Sequence, residues 1–116
     1  MHEPDHLRVA ERDGAVIVGF LESKIHEEMA ISSLGEELQA VIAQPDCRKL
    51  ILNFSGVELV TSAMLGKLVS TNRRMDEKGG TMILCEMGDN LRYVFRITKL
   101  DNILKICETE ADALAR

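Results

Sequence analysis

The amino-acid sequence predicts an α/β domain with a mixed β-sheet, an N-terminal hairpin plus parallel strands, and helices packed mainly on one face. Three observations support this fold class. Short apolar runs alternate with segments of helical periodicity, which is typical of parallel strands joined by crossover helices. The pair Asp13-Gly14 separates the first two strand-like runs and favours a tight hairpin turn. A length of 116 residues suits one compact domain spanning residues 1–116.

The first half of the chain contains two strand-like runs, a polar loop, a helical segment and a third strand. In that order, these elements are predicted at Leu7 to Arg12, Ala15 to Phe20, Leu21 to His26, Glu27 to Ala43, and Lys49 to Phe54. The helix is predicted because Ile31, Leu34 and Leu38 recur at a spacing of three or four residues. Pro45 disfavours its continuation.

The second half repeats the alternation of helix and strand. The predicted elements are a helix beginning at Thr61-Ser62, a strand from Thr81 to Cys85, a helix beginning at Asp89, a strand from Ile103 to Cys107, and a helix from Glu110 to Ala115. Gly79 is placed to end the first of these helices. Asp89 is predicted to cap the N-terminus of the second.

Composition and charge exclude several classes of function. The formal net charge is -5 and only 3% of the residues are aromatic, whereas nucleic-acid surfaces need clustered Lys and Arg and stacking rings. The N-terminal residues are polar, and no apolar run is long enough to cross a bilayer. Cys47, Cys85 and Cys107 are expected to be reduced, buried thiols. We therefore expect a cytoplasmic protein that binds neither nucleic acid nor membrane.

No residue pattern indicates an enzyme or a metal site. His2, His6 and His26 lack the spacing of zinc ligands. Gly66-Lys67 lacks both the earlier glycine and the following hydroxyl of a phosphate-binding loop. Hydrolysis by a serine would require a histidine within hydrogen-bond reach of its hydroxyl. We predict no catalytic residue, cofactor or metal.

Ser62 is the candidate functional residue. It lies where the helix after the third strand begins, and a helix N-terminus has unpaired N–H groups and the positive end of the helix dipole. A hydroxyl at this position is either an N-cap, worth about 1 kcal/mol, or an acceptor of phosphate, which adds about two negative charges. The residues alone leave both interpretations open.

Four segments together resemble a known family. The run from Leu52 to Gly66 (Leu-Asn-Phe-Ser-Gly-Val-Glu-Leu-Val-Thr-Ser-Ala-Met-Leu-Gly) resembles the core of STAS domains, the fold of bacterial anti-sigma factor antagonists. Lys78 to Cys85 is similar to the Gly-Gly strand that follows in the family, and Leu91 to Leu100 to its next helix. Val16 to Leu21 is similar to its second strand. The resemblance spans nearly the whole chain and implies a STAS-like mixed sheet.

The resemblance also implies a binding function. Such antagonists dock on an anti-sigma factor, usually itself a serine kinase, and so release the sigma factor. Phosphorylation of the serine that matches Ser62 breaks the complex, and a phosphatase restores it. The implied partner surface consists of the helix start and two loops, with the residues Glu22, Ser23, Lys24, Ser55, Gly56, Glu58, Thr61, Ala63 and Met64.

The motif differs from the family pattern around the serine. Thr61 stands at the family's aspartate, Ala63 at its second hydroxyl residue and Met64 at its glycine. Met64 is expected to add an exposed apolar contact near the helix start. An alternative function is a sensor or scaffold module without phosphorylation, which binds a small ligand or another signalling protein; Met64 would then line a pocket.

Overall fold

The structure, a computed structural model, describes residues 6–116, so that His2 lies outside the described range. Within that range, the elements are β1 (Leu7–Arg12), β2 (Ala15–Phe20), β3 (Lys24–Ile25), α1 (Glu28–Ile42), β4 (Lys49–Asn53), β5 (Leu59–Val60), α2 (Ser62–Glu77), β6 (Thr81–Cys85), α3 (Asp89–Ile97), β7 (Lys105–Ile106) and α4 (Glu110–Ala115). A single 3-10 turn, Leu100–Asn102, separates α3 from β7.

The strands form a mixed five-stranded sheet in the order β1-β2-β4-β6-β7. β1 is antiparallel to β2, whereas the other neighbours are parallel. The predicted fold class is therefore confirmed. A second, two-stranded parallel sheet pairs β3 with β5. Because the carboxyl ends of parallel strands share one edge, the loops after β2 and β4 meet at the same end of the domain.

The sheet separates two apolar layers of unequal size. Val18, Leu52 and Leu84 belong to the large core that contains the buried residues of α1, α2 and α3. Ile51 and Ile83 belong to a smaller cluster on α4. Both faces of the central strands are buried, which explains their continuous apolar runs. The prediction that the helices pack mainly on one face is confirmed.

Close contacts between α1 and α2 fix the position of α2. A Cβ atom added to Gly35 would lie 3.0 Å from Lys67 Cδ, so that glycine permits close packing here. At the other end of the pair, the Lys78 ammonium donates hydrogen bonds to the carbonyl oxygens of Ile42 and Gln44. A cation at the carboxyl end of a helix is stabilising. Lys78 therefore links the end of α2 to the end of α1.

Three local predictions were wrong. The polar segment Leu21 to His26 contains β3, which forms through pairing with a distant segment. The last strand covers Lys105–Ile106 only, because just these two residues pair with β6. The N-cap of α3 is Gly88, and Asp89 is already the first helical residue. None of these differences alters the sheet order.

Candidate docking site at the start of helix α2

Ser62 is the first residue of α2, and its side chain is exposed. The first turn of this helix contains no acidic residue, so that no carboxylate of that turn opposes a negative group placed there. The unpaired N–H groups and the positive end of the dipole both favour such a group. In residues 6–116, the Ser62 hydroxyl makes no hydrogen bond to a histidine. The site can therefore accept a modification without first breaking a side-chain contact.

The N-cap is Thr61, and Ser62 is the first helical residue. Its backbone is extended, and its Oγ1 accepts a hydrogen bond from the N–H of Met64 at 3.4 Å. The N–H of Leu65 donates to the carbonyl oxygen of Thr61 at 3.0 Å. Thr61 thus has the position and the bonds of an N-cap, which leaves the hydroxyl of Ser62 free of a capping role.

Backbone hydrogen bonds join the three predicted parts of the partner surface. The N–H groups of Glu58 and Leu59 both donate to the carbonyl oxygen of Ser23, at 2.6 and 3.2 Å. The N–H of Thr61 donates to the carbonyl oxygen of Ile25 at 3.2 Å. The loop after β2, the loop after β4 and the start of α2 therefore form one continuous surface.

The loop after β4 is held in a defined conformation. The side-chain oxygen of Asn53 accepts a hydrogen bond from the N–H of Ser55 at 2.8 Å, which is the geometry of an Asx turn. Gly56 follows with a φ of +85°, a conformation that favours glycine. Val57 then returns to the core, where it is buried. The exposed segment between Phe54 and Val57 is consequently short and ordered.

Most predicted partner residues lie at the surface. Exposed residues among them are Ser23, Lys24, Ser55, Gly56, Glu58 and Ala63, while Glu22 and Thr61 are partly buried. The assignment of these residues to a partner stays a prediction. These residues nevertheless share one continuous region of the fold.

Met64 is the exception, because its side chain is fully buried. It belongs to the large core beside Leu65 and Leu68. The expectation of an exposed Met64 contact is therefore wrong. A core position also explains why methionine stands where the family has glycine, since a flexible thioether fills irregular gaps between helices and sheet.

Two exposed apolar residues at this surface were missed by the sequence interpretation. Leu59 is 47% exposed and Met29 is 84% exposed. Leu59 pairs with Lys24 in the small sheet, and residues 26–27 alone separate that sheet from α1. Met29 is the second residue of α1. Exposed apolar side chains near a candidate docking surface favour protein binding.

Glu22 is held by contacts with the first described residue. Its carboxylate pairs with the ring of His6, and the backbone N–H of His6 donates to Glu37 Oε1 at 2.9 Å. The N–H of Leu21 donates to the carbonyl oxygen of His6 at 3.1 Å. These contacts attach the loop after β2 to α1. Glu22 is thus positioned at the edge of the candidate surface.

The cysteines lie away from this surface, in the apolar interior. All three are free and buried. Burial, together with the neighbouring Glu86, Glu110 and Cys107, raises the pKa of Cys85 to about 12. Since the thiolate is the reactive form, Cys85 is expected to be unreactive at neutral pH.

Within residues 6–116, no helix is both long and apolar enough to cross a membrane. In the same range, no group of three or more metal-binding side chains is assembled.

Comparison with known proteins identifies the family. The family model of the STAS domain matches residues 8–113. The chain belongs to the STAS domain family. An anti-sigma-factor antagonist (STAS) domain protein from Planctomyces limnophilus is 24% identical, with a TM-score of 0.84 over 94% of this chain and 95% of that one. The two chains therefore share the fold described above.

Two other relatives extend the comparison. The phosphorylated form of SpoIIAA, a Bacillus cell fate determinant, is 20% identical, with a TM-score of 0.70 over 95% of this chain and 97% of that one. A TM1081 homologue from Thermotoga neapolitana is 35% identical over 66 residues, or 57% of this chain. The match spans 58% of that relative's own length. One solved structure with this fold is therefore that of a phosphorylated protein.

Proposed function

We propose that this chain is an anti-sigma factor antagonist that docks on an anti-sigma factor or serine kinase and is released when Ser62 is phosphorylated. The observation that supports it most directly is the exposed Ser62 at the first residue of α2, in a STAS domain similar to an anti-sigma-factor antagonist domain protein. The residues proposed to make the contact are Ser23, Lys24, Ser55, Gly56, Glu58, Thr61 and Ala63, with Glu22 at the edge.

The proposed contact combines apolar area with charge. Leu59 and Met29 offer the apolar part, and Glu27, Glu28 and Glu58 surround it with exposed carboxylates. Apolar centres with polar rims are typical of specific protein interfaces. We therefore expect a partner surface with an apolar pocket and basic residues around it. Met64 belongs to the first turn of α2, but its side chain is buried and is not part of the proposed contact.

Phosphate on Ser62 would change this contact in two ways. It adds about two negative charges to a surface that is already acidic, and a basic partner would have to adapt to them. It also adds a strongly hydrated group, whose burial against a partner is costly unless it is fully paired. The same phosphate is favourable to the free protein, because it lies at the positive end of α2. The added charge and the cost of burying the phosphate both shift the binding equilibrium towards dissociation.

A binding experiment tests this proposal. Anti-sigma factors from the same genome are titrated by calorimetry with the wild type, Ser62→Asp and Ser62→Ala. We expect one factor to bind the wild type and Ser62→Ala alike, and Ser62→Asp to bind at least about tenfold more weakly, or about 1.4 kcal/mol. Ser70→Asp is the matched control, because Ser70 is another exposed serine of α2. Binding that is insensitive to Ser62→Asp, or absent for every factor, contradicts the proposal.

A further inference from the structure

A second surface with the composition of an interface lies on α3. Arg92, Tyr93, Arg96 and Ile97 are exposed. Arg92 and Arg96 are four residues apart, as are Tyr93 and Ile97, and Tyr93 and Arg96 are three apart, which places them along one side of the helix. Tyr93 is 54% and Ile97 58% exposed. The guanidinium of Arg96 lies over the ring of Tyr93, 5.5 Å from its centroid. Exposed Tyr and Arg side chains in one patch are typical of binding hot spots.

A groove borders this patch. Its volume is about 610 Å³, and it lies between α3 and the segment that leads to β7, lined by Asp89, Arg92, Tyr93, Arg96, Asp101 and Ile106. Arg92 approaches Glu108 at 3.6 Å. Among residues 6–116, no carboxylate lies within 4.0 Å of the Arg96 guanidinium. Arg96 therefore keeps its donors available for a carboxylate of another molecule.

The charge of this region is opposite to that of the rest of the chain. Residues 89–106 contain four Lys or Arg and two Asp, whereas the whole chain contains 14 basic and 19 acidic residues. We call the patch of Arg92, Tyr93, Arg96 and Ile97 the basic surface. We call the patch of Glu27, Glu28, Met29, Glu58 and Leu59 the acidic surface.

The two surfaces complement each other. Within residues 6–116, seven large apolar residues are exposed, and four of them belong to these two patches. The basic surface contributes Tyr93 and Ile97, and the acidic surface Met29 and Leu59. The basic surface carries the guanidinium groups of Arg92 and Arg96, and the acidic surface carries the exposed carboxylates of Glu27, Glu28 and Glu58. Such complementary charge steers association and fixes its orientation.

We propose that the basic surface of one molecule binds the acidic surface of a second copy of this chain. The contact is heterologous, since two different surfaces meet, and it therefore permits head-to-tail chains. Because Glu58 and Leu59 also belong to the surface proposed for the anti-sigma factor, self-association competes with that partner; this consequence alone rests on the proposed function.

Sedimentation velocity with two charge-reversed variants tests the proposal. Variant one is Arg92→Glu/Arg96→Glu and variant two is Glu27→Lys/Glu58→Lys; the substituted residues are exposed in both. We expect the wild type to self-associate at protein concentrations between about 10 µM and 1 mM. This association should weaken as the salt concentration rises from about 0.05 to 0.5 M. Each variant alone is expected to self-associate with an affinity at least about tenfold lower than that of the wild type. Their mixture is expected to form heterodimers, because it retains one intact surface of each kind.

The controls separate this contact from others. Arg8→Glu makes a similar charge change on β1, the opposite edge of the sheet, and is expected to associate like the wild type. Circular dichroism checks that each variant folds. A wild type that stays monomeric up to 1 mM overturns the proposal. Association that persists in variant two also overturns the proposal, because a symmetric contact between two basic surfaces would survive those substitutions.

Discussion

Substituting each of the two adjacent hydroxyl residues at the start of α2 gives the sharpest test of the local structure. The structure assigns the capping hydrogen bond to Thr61 and none to Ser62. N-cap substitutions by alanine cost about 0.5–2 kcal/mol of unfolding free energy. The Thr61 bond is long, at 3.4 Å, and so the lower half of that range applies. We expect Thr61→Ala to lose about 0.5–1 kcal/mol.

Ser62→Ala is expected to behave differently. The first helical position gains from alanine's higher helix propensity, by about half a kcal/mol at most. Since no side-chain hydrogen bond of Ser62 is lost, the unfolding free energy should stay the same or rise slightly. Urea unfolding followed by circular dichroism measures both variants, and the midpoint is compared at unchanged m-value. If Ser62→Ala lost about 1 kcal/mol while Thr61→Ala lost nothing, Ser62 would be the cap and this account of the helix start would be wrong.

Two further predictions concern the interior. Met64→Ala should lower the unfolding free energy by about 2–5 kcal/mol, because it leaves a cavity under α2. The control Ala63→Gly, at the exposed neighbouring residue, should lower it by only about 1 kcal/mol. Equal losses for the two variants would contradict the buried position of Met64. Cys85, with a pKa of about 12 in place of the ordinary 9.0, should be thiolate in only about one molecule in a thousand at pH 9. Iodoacetamide labelling read by peptide mass spectrometry should therefore modify Cys85 far more slowly in the native protein than in urea, and equal rates would refute the assignment.

The sequence predicted the parts of the fold that depend on local pattern. The run from Leu50 to Leu52 was recognisable as a strand because both of its faces are buried and all three residues are apolar. The helix α1 was recognisable from the repeated spacing of Ile31, Leu34 and Leu38. These signals arise within a few neighbouring residues, and they were sufficient to predict the mixed sheet and its helical layer.

Features that depend on distant partners were not predictable in this way. Strands β3 and β5 have two residues each, and they form because Lys24 and Ile25 pair with a segment some 35 residues away. The choice between Thr61 and Ser62 as N-cap could not be made from residue type, since both offer a hydroxyl. Met64 was assigned to the surface from its place near the helix start, although its side chain is directed into the core.

The three segments predicted to form the candidate site adjoin one another in the fold, whereas Met64, predicted to be exposed there, is buried. The three segments were found because each one matches part of a family motif. Met29 and Leu59 were missed because a single exposed apolar residue has no distinctive sequence signal. Their exposure is known only once the fold is known.

Phosphorylation mapping tests the central claim most directly. The wild type and Ser62→Ala are incubated with ATP and the anti-sigma factor kinase that binds the chain, and each phosphate is located by mass spectrometry of peptides. The account predicts one phosphate on Ser62 of the wild type and none on Ser62→Ala. A phosphate on another residue, such as Ser70 or Ser23, would contradict the account. So would a wild-type chain that stays unmodified while the same kinase modifies a second substrate.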